Sequence, residues 1–257
     1  MYAGEMTNVY HPGCKGLYVD NEVPEIVTSQ VDELLENSDK FKSASDTLYA
    51  DIGTQIEVPN KLVEEKSELY SYIVSSSYDL YSSNNKNIFQ VKKDFRYLPK
   101  LQMSWFVLQK KGEYNPAHYH PTVPINGIMY FKEWDEKKET SMLIKNNDIG
   151  DGHRIVNGEN KVKVFNFDDG DTIVDTDYPT ENACLTVFLN DFPHRFKPKK
   201  GLSVVMSADT IHSVNPFYSD QIRYSYQWNI DFVPIPNKID IDNLPNVEQM
   251  NFERAVI

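Results

Sequence analysis

Residues 222–230 read Ile-Arg-Tyr-Ser-Tyr-Gln-Trp-Asn-Ile. In an extended chain successive side chains point to opposite faces. Arg223, Ser225, Gln227 and Asn229 therefore share one face, and Ile222, Tyr224, Tyr226, Trp228 and Ile230 share the other. One face is wholly polar and the other bulky and apolar. A surface sheet would turn the apolar face to the core and the polar face to water. A ligand-binding barrel would instead bury the polar face toward its mouth and pack the apolar face on outer helices. The strand alone allows both, and His212, just upstream, tilts the reading to the barrel.

Working back along the chain, Asp209-Thr210-Ile211-His212-Ser213-Val214 finds its counterpart in Ala117-His118-Tyr119-His120-Pro121. If that earlier stretch is extended, His118 and His120 lie on one face. Three imidazoles are enough to hold a divalent first-row metal, and a guanidinium nearby can clamp a carboxylate with two parallel hydrogen bonds. An HxH pair is weak evidence by itself. Joined to a distant third His and to Arg223, it becomes more specific. Asp209, three residues before His212, reads either as a group that orients the imidazole or as a turn residue.

The surrounding texture is that of strands. Candidates are 89–91, 103–109, 127–134, 141–144, 162–167, 172–174, 185–191, 202–207 and 222–230. Turn signals such as Lys111-Gly112, Asp169-Gly170-Asp171 and Lys200-Gly201 separate them. Many short strands with such punctuation predict a sandwich, jelly roll or barrel. Ahead of them, apolar residues recur at helical spacing from Pro24 to Glu36 and from about Leu62 to Leu80. Two helices there would pack on the outside of one sheet. Residues 1–20 read as an irregular lead-in or edge strand, and His11 as a loop residue. The tail from 233 contains Pro234, Pro236 and Pro245 and little periodicity.

Composition sets bounds on partners. Lys and Arg number 26 against 38 Asp and Glu, a net charge of −12. That argues against nucleic acid or an anionic membrane as the main partner, because both need positive charge. Cys14 and Cys184 form no CxxC pair and read as reduced thiols. Neither a secretory leader nor an apolar run of about 20 residues is visible. The expectation is an intracellular, cytoplasmic protein of one domain.

In order and spacing, residues 103–134 and 197–230 resemble the double-stranded β-helix core of Fe(II)/2-oxoglutarate-dependent oxygenases, in particular a group related to prolyl hydroxylases. The resemblance rests on Trp105-Phe106-Val107-Leu108 before a Gly turn, His118-Tyr119-His120-Pro121, and Asn126-Gly127-Ile128-Met129-Tyr130-Phe131. It continues through Pro198-Lys199-Lys200-Gly201, His212-Ser213-Val214-Asn215-Pro216 and Arg223-Tyr224-Ser225. It covers about a third of the chain. It implies a mainly β, jelly-roll or cupin-like double-stranded β-helix with N-terminal helices packed outside. Residues 1–257 would be a single oxygenase-like domain: helical support over 1–100, the core over 101–232 with an insertion at 145–200, and a tail over 233–257.

The resemblance also implies a site. His118 and His212 would ligate Fe(II), and His120 stands where most of the superfamily has Asp or Glu. That departure leaves three arrangements open. His120 ligates, or it sits outside an open position, or a carboxylate arrives from elsewhere; ligation is favoured. Arg223 would take the distal carboxylate of 2-oxoglutarate, with Ser225 beside it and Tyr130 and Asn126 as further residues of the co-substrate pocket. The implied chemistry consumes O2 and 2-oxoglutarate and hydroxylates a C–H bond of a peptide side chain, prolyl-like, or of a small molecule. Competing readings are a cupin-type metal dioxygenase or isomerase that needs no 2-oxoglutarate, and a non-catalytic barrel. Asp168-Asp169-Gly170-Asp171 lacks the spacing of a calcium loop and reads as a hairpin turn. Phe192-Pro193-His194-Arg195-Phe196 reads as a loop near substrate, and His153 and His194 as surface or substrate-side residues rather than ligands.

Overall fold

The structure is a computed structural model. It describes residues 16–45, 52–85, 95–120, 123–133, 153–155, 161–166, 170–175, 183–189, 192–217 and 220–236. Its organising strand is β13, Arg223–Pro236, which pairs antiparallel with β3, Phe95–Gln109, along one edge and with β5, Ile125–Tyr130, along the other. Four further strands are β1 (Leu17–Asp20), β2 (Gln55–Val58), β11 (Leu202–Ser207) and β4 (Asn115–His118). With β9 (Leu185–Leu189), β10 (Phe192–Phe196) and β12 (His212–Val214) they complete two facing sheets. The larger runs β1-β11-β5-β13-β3-β2 and the smaller β10-β9-β12-β4. From β3 onward the chain crosses between them repeatedly: β3 in the large sheet, β4 in the small, β5 large, β9 and β10 small, β11 large, β12 small, β13 large. This alternation is the double-stranded β-helix. The interposed segment carries a separate antiparallel sheet of β6 (His153–Ile155), β7 (Lys161–Asn166) and β8 (Gly170–Asp175).

The two placements open to β13 are now decided. Its polar face is inside: Arg223, Ser225 and Gln227 are all buried. Its apolar face meets helix α3, Ser67–Asn85, in a core of Leu69, Tyr72, Ile73, Tyr226, Trp228 and Ile230. The Trp228 indole N–H donates to Ser77 Oγ at 3.2 Å, so even the polar atom of that face is anchored to the helix. Gly127 lies opposite Trp228, and a Cβ there would come within 2.0 Å of the indole ring. A second core fills the space between the sheets, with Ile128, Tyr130, Leu185, Val187, Val204, Met206 and Val214 among its members.

Helix α1, Glu25–Glu36, begins after Pro24 and buries Val27, Val31 and Leu34, the spacing read from the sequence. Lys111-Gly112 and Lys200-Gly201 are turns whose glycines sit at φ 84° and 83°, where an L side chain is strained. β7 and β8 pair antiparallel with Asn166 opposite Gly170, and residues 167–169 of the Asp-rich stretch lie outside the described residues.

Four expectations need correction. The helix read over 62–80 is two: α2, Asn60–Glu64, and α3. A short-range bond from Lys66 N–H to the Val63 carbonyl tightens and ends α2, after which the Lys66 carbonyl starts α3 by accepting from Tyr70. Residues 192–196 are a strand, not a loop, and β10 accommodates Pro193 because it is an edge strand, where a missing N–H breaks no ladder. β2 was not anticipated. The tail does not begin at 233, because β13 continues to Pro236. Beyond Ile230 its ladder runs with β3 alone among the described residues, and a one-sided ladder tolerates proline. The strands expected at 89–91 and 141–144, and His11 and Cys14, lie outside the described residues. Among those described, no helix is long and apolar enough to cross a membrane.

Candidate metal centre

Strand register builds the site. β4 pairs with β12 so that His118 lies directly opposite His212. Their ring centroids are 4.3 Å apart. His120 follows β4, and its backbone N–H donates to the Ala208 carbonyl, tying it to the turn before β12. Its ring centroid lies 5.3 Å from that of His118 and 5.2 Å from that of His212. One nitrogen from each imidazole falls within 4.8 Å of the others, and no carboxylate joins the group among the described residues.

Hydrogen bonds fix which nitrogen faces inward. His118 Nδ1 is 2.8 Å from the Pro116 carbonyl oxygen, and His212 Nδ1 is 3.0 Å from that of Thr210. A carbonyl oxygen only accepts, so both Nδ1 atoms carry the proton and both Nε2 atoms keep a lone pair. His120 Nδ1 is 3.1 Å from Asn229 Oδ1. Outer partners of this kind set the tautomer and orientation of metal-binding imidazoles. The orienting role weighed for Asp209 thus falls to the Thr210 carbonyl, and Asp209 is exposed.

Burial pushes all three imidazoles toward the neutral form. It takes His212 down to about 3 and His120 to about 4, helped at each by the neighbouring His118, and it lowers His118 as well. Neutral imidazole is the ligating form, so no proton has to be displaced near pH 7. His120 Nε2 is buried and has no hydrogen-bond partner among the described residues. The ring itself is stacked on Trp105, with centroids 6.1 Å apart and planes at 19°. A buried lone pair aimed at two others is satisfied by a cation. Three neutral nitrogens suit a divalent first-row ion, so the residues present fit iron.

The other end of the polar face holds Arg223, 3 % exposed. Its Nη1 donates to the Tyr130 hydroxyl at 3.1 Å and to the Ala183 carbonyl at 3.0 Å. Nε has no partner, and the guanidinium makes no ion pair among the described residues. Ala183 holds its carbonyl there from a left-handed conformation, φ 54°. Ser225, next along the same face, has its Oγ buried and without a partner among the described residues. A buried charge with spare donors is costly unless an anion completes it. A carboxylate meets that requirement.

Asn126 is not beside Arg223. It lies in register with Asn229, donates to it, and so stands behind His120. His194 belongs to β10, opposite Val187, which is itself opposite His212. That in-register row puts His194 on the same sheet face as the triad, one strand beyond Val187. His153 lies in β6, in the separate sheet. Asn229, Trp105 and Ala183 were not singled out from sequence. Asn229 stood on the polar face of 222–230 and could have been weighed there; Trp105 entered only as part of the Trp105–Leu108 strand of the resemblance, and Ala183 carries no local signal.

The sequence profile of the family described as "Putative 2OG-Fe(II) oxygenase" matches residues 103–229. No curated protein sequence matches the chain. Among solved structures, the chain is similar to a Pseudomonas putida prolyl-4-hydroxylase, with 14% identity over 84% of this chain and 93% of that one, at a TM-score of 0.46. It is similar to a Trichoplax adhaerens prolyl hydroxylase in complex with a hypoxia inducible factor peptide fragment, with 12% identity over 84% and 83% and a TM-score of 0.48. A viral collagen prolyl hydroxylase from Paramecium Bursaria Chlorella virus-1 aligns at 12% identity over 83% and 94%, with a TM-score of 0.43. The profile match spans β4, β12 and the start of β13, the strands that assemble this site, and it supports the likeness of the chain to the Fe(II)/2-oxoglutarate-dependent oxygenase superfamily.

Proposed function

We propose that the protein is an iron- and 2-oxoglutarate-dependent hydroxylase in which His118, His120 and His212 hold Fe(II) and Arg223 takes the distal carboxylate of 2-oxoglutarate. The observation that carries this is the pairing of two unmet needs on one buried face. Lone pairs converge at one end, and a buried guanidinium whose Nε has no partner among the described residues waits at the other. Residues 1–257 act as one domain in this reading, with the helices as outer support.

The chain's own groups divide the work. The three Nε2 atoms bind the ion and, being uncharged, leave it more positive than a set containing a carboxylate. Trp105, stacked on His120, keeps water from that side of the ring. Arg223 fixes the co-substrate's length axis, the Tyr130 hydroxyl holds the guanidinium in place, and Ser225 adds a donor to the same carboxylate. When bound, the iron supplies the oxidation in which 2-oxoglutarate, O2 and a C–H bond become succinate, CO2 and a C–OH group. The substrate is a peptide side chain, prolyl-like, or a small molecule. Phe192, 71% exposed, and the half-buried His194 lie on the same face of β10 and supply a mixed apolar and polar rim for it.

The test is succinate release from 2-oxoglutarate with added Fe(II). Wild type is expected to be active and His212→Ala inactive; equal activity ends the assignment. The all-imidazole donor set favours one competing reading, a metal dioxygenase that needs no co-substrate. In that case Arg223→Ala keeps full activity.

A further inference from the structure

We propose that Asn126 and Asn229 form a two-amide relay that sets the tautomer of His120 and thereby keeps the third metal position open; Asn126 touches neither the triad nor, in this reading, any substrate. The inference rests on His120 being a ligand, as argued above, but the relay itself is read from hydrogen bonds alone.

The chain of hydrogen bonds starts at one fixed point. The Trp228 backbone carbonyl lies 3.2 Å from Asn126 Nδ2. A carbonyl oxygen accepts only, so the Asn126 atom facing it is the NH2 group. That same NH2 lies 3.1 Å from the Asn229 side chain, so the Asn229 atom facing it is an oxygen. The Asn229 oxygen in turn faces His120 Nδ1 at 3.1 Å, so Nδ1 is the protonated nitrogen and Nε2 keeps its lone pair. Each step forces the next. His118 and His212 need no such device, because a backbone carbonyl fixes each directly. His120 is the one member of the triad oriented by a side-chain amide, which can turn over.

Asn126 is what stops it turning. If Asn229 flipped, its NH2 would face the Asn126 NH2, two donors with no acceptor between them, in a buried site. His120 would then accept at Nδ1 and carry its proton on Nε2, pointing N–H where a cation should sit. Asn126 Oδ1 is buried and has no partner among the described residues, so the two donated bonds alone fix that amide. The in-register pairing of Asn229 with Asn126 places these groups.

The test reads the tautomer directly. Full-length metal-free protein labelled with 15N-histidine is examined by long-range 1H–15N NMR, with His120 assigned by its loss in His120→Gln. Titration with Co(II), an oxygen-inert stand-in for Fe(II), is run in parallel. Wild type should show His120 protonated at Nδ1. Asn126→Leu should shift His120 partly or wholly to the Nε2–H form and weaken Co(II) by about tenfold, the lower end of what outer partners contribute. Asn229→Asp should hold the Nδ1–H form, because a carboxylate only accepts. The double variant Asn126→Leu with Asn229→Asp should therefore regain it. That rescue separates the relay from a fold defect, and Asn229→Asp alone keeps the buried Asn126 in case Asn126→Leu does not fold. An Nε2–H or mixed tautomer in wild type overturns the relay, as does a double variant that folds but fails to restore Nδ1–H. Wild type in the Nδ1–H form that binds no Co(II) supports the relay and counts against the metal reading.

Discussion

The two ends of the polar face of β13 are built on opposite principles. At the imidazole end every outer nitrogen is paired, to Pro116, Thr210 or Asn229, and the inward atoms are left with nothing but lone pairs. At the guanidinium end the polar groups are only half satisfied: Arg223 Nη1 is paired, while Arg223 Nε and Ser225 Oγ have no partner among the described residues. One end is finished and presents neutral acceptors to a cation. The other is unfinished and presents donors to an anion. The difference teaches that one barrel interior can prepare for two ligands of opposite charge by satisfying different shares of its own hydrogen bonds.

The largest expected effect breaks the second end and spares the first. Arg223→Lys keeps a positive charge but loses the planar fork, which a single ammonium cannot reproduce. Disturbing a buried, hydrogen-bonded charge contact weakens binding by about 2 kcal/mol or more, roughly 30-fold. The 2-oxoglutarate KM in the succinate assay should rise by at least that factor, while Co(II) affinity measured by titration changes less than about twofold. A parallel loss of Co(II) binding would show that the two ends are one coupled unit.

Of the same order for each group is an effect of pH that belongs to the first end alone. Folding lowers His212 to about 3 and His120 to about 4 from an unfolded value near 6.5. Between 6.5 and the folded values the unfolded chain binds the proton and the folded chain does not. Stability is therefore intact above pH 6.5 and falls as the solution is acidified. At pH 5 the loss is about 2 kcal/mol for each of the two imidazoles. Arg223 stays protonated throughout and contributes no slope. Urea unfolding of the metal-free protein at pH 7 and pH 5 measures the loss. His120→Gln with His212→Gln should remove most of it and leave the part due to His118, which burial also lowers, and Arg223→Met should leave it unchanged.

A third, smaller effect approaches the imidazole end from behind. Gly127→Ala would push a methyl into the Trp228 ring, whose backbone carbonyl anchors Asn126. Overpacking of this kind destabilises by about 1–3 kcal/mol. The expected signature is a lower melting temperature together with weaker Co(II) binding, with the 2-oxoglutarate KM little changed.

This division also explains what could be read from the chain. Alternation over 222–230 showed two faces, but not which one was inside; only the packing of Trp228 on Ser77 of α3 decides that. His118, His120 and His212 were legible because a metal demands particular residue types at particular spacings. Asn229 was visible as a face residue but not as a partner, since its role depends on a register with Asn126 more than a hundred residues away in sequence. Asn126 was placed in the wrong neighbourhood for the same reason: a strand's sequence shows its faces and not its neighbours. A proline such as Pro193 argues against a strand until the strand is known to be an edge, and only the sheet order shows that of β10. The Ala183 conformation left no trace at all, because nothing in Ala-Cys-Leu marks a left-handed residue.

Ala183 gives the smallest and finest test of the contrast. Its φ of 54° places an alanine where glycine is the usual occupant, at a strain of about 1 kcal/mol, and its carbonyl accepts from Arg223. Ala183→Gly removes that strain but adds chain entropy to the unfolded state, about 0.5–1 kcal/mol, so global stability should move by less than about 1 kcal/mol. If the conformation serves only the turn, nothing else changes. If it holds the carbonyl against the guanidinium, the looser glycine should raise the 2-oxoglutarate KM by a few-fold, under about tenfold, and leave Co(II) affinity and the His120 tautomer untouched. Ala183→Val should exaggerate the same pattern, because a β-branched residue is a true outlier at positive φ. A change in Co(II) affinity without a change in KM would place Ala183 with the wrong end of the strand and undo the contrast drawn here.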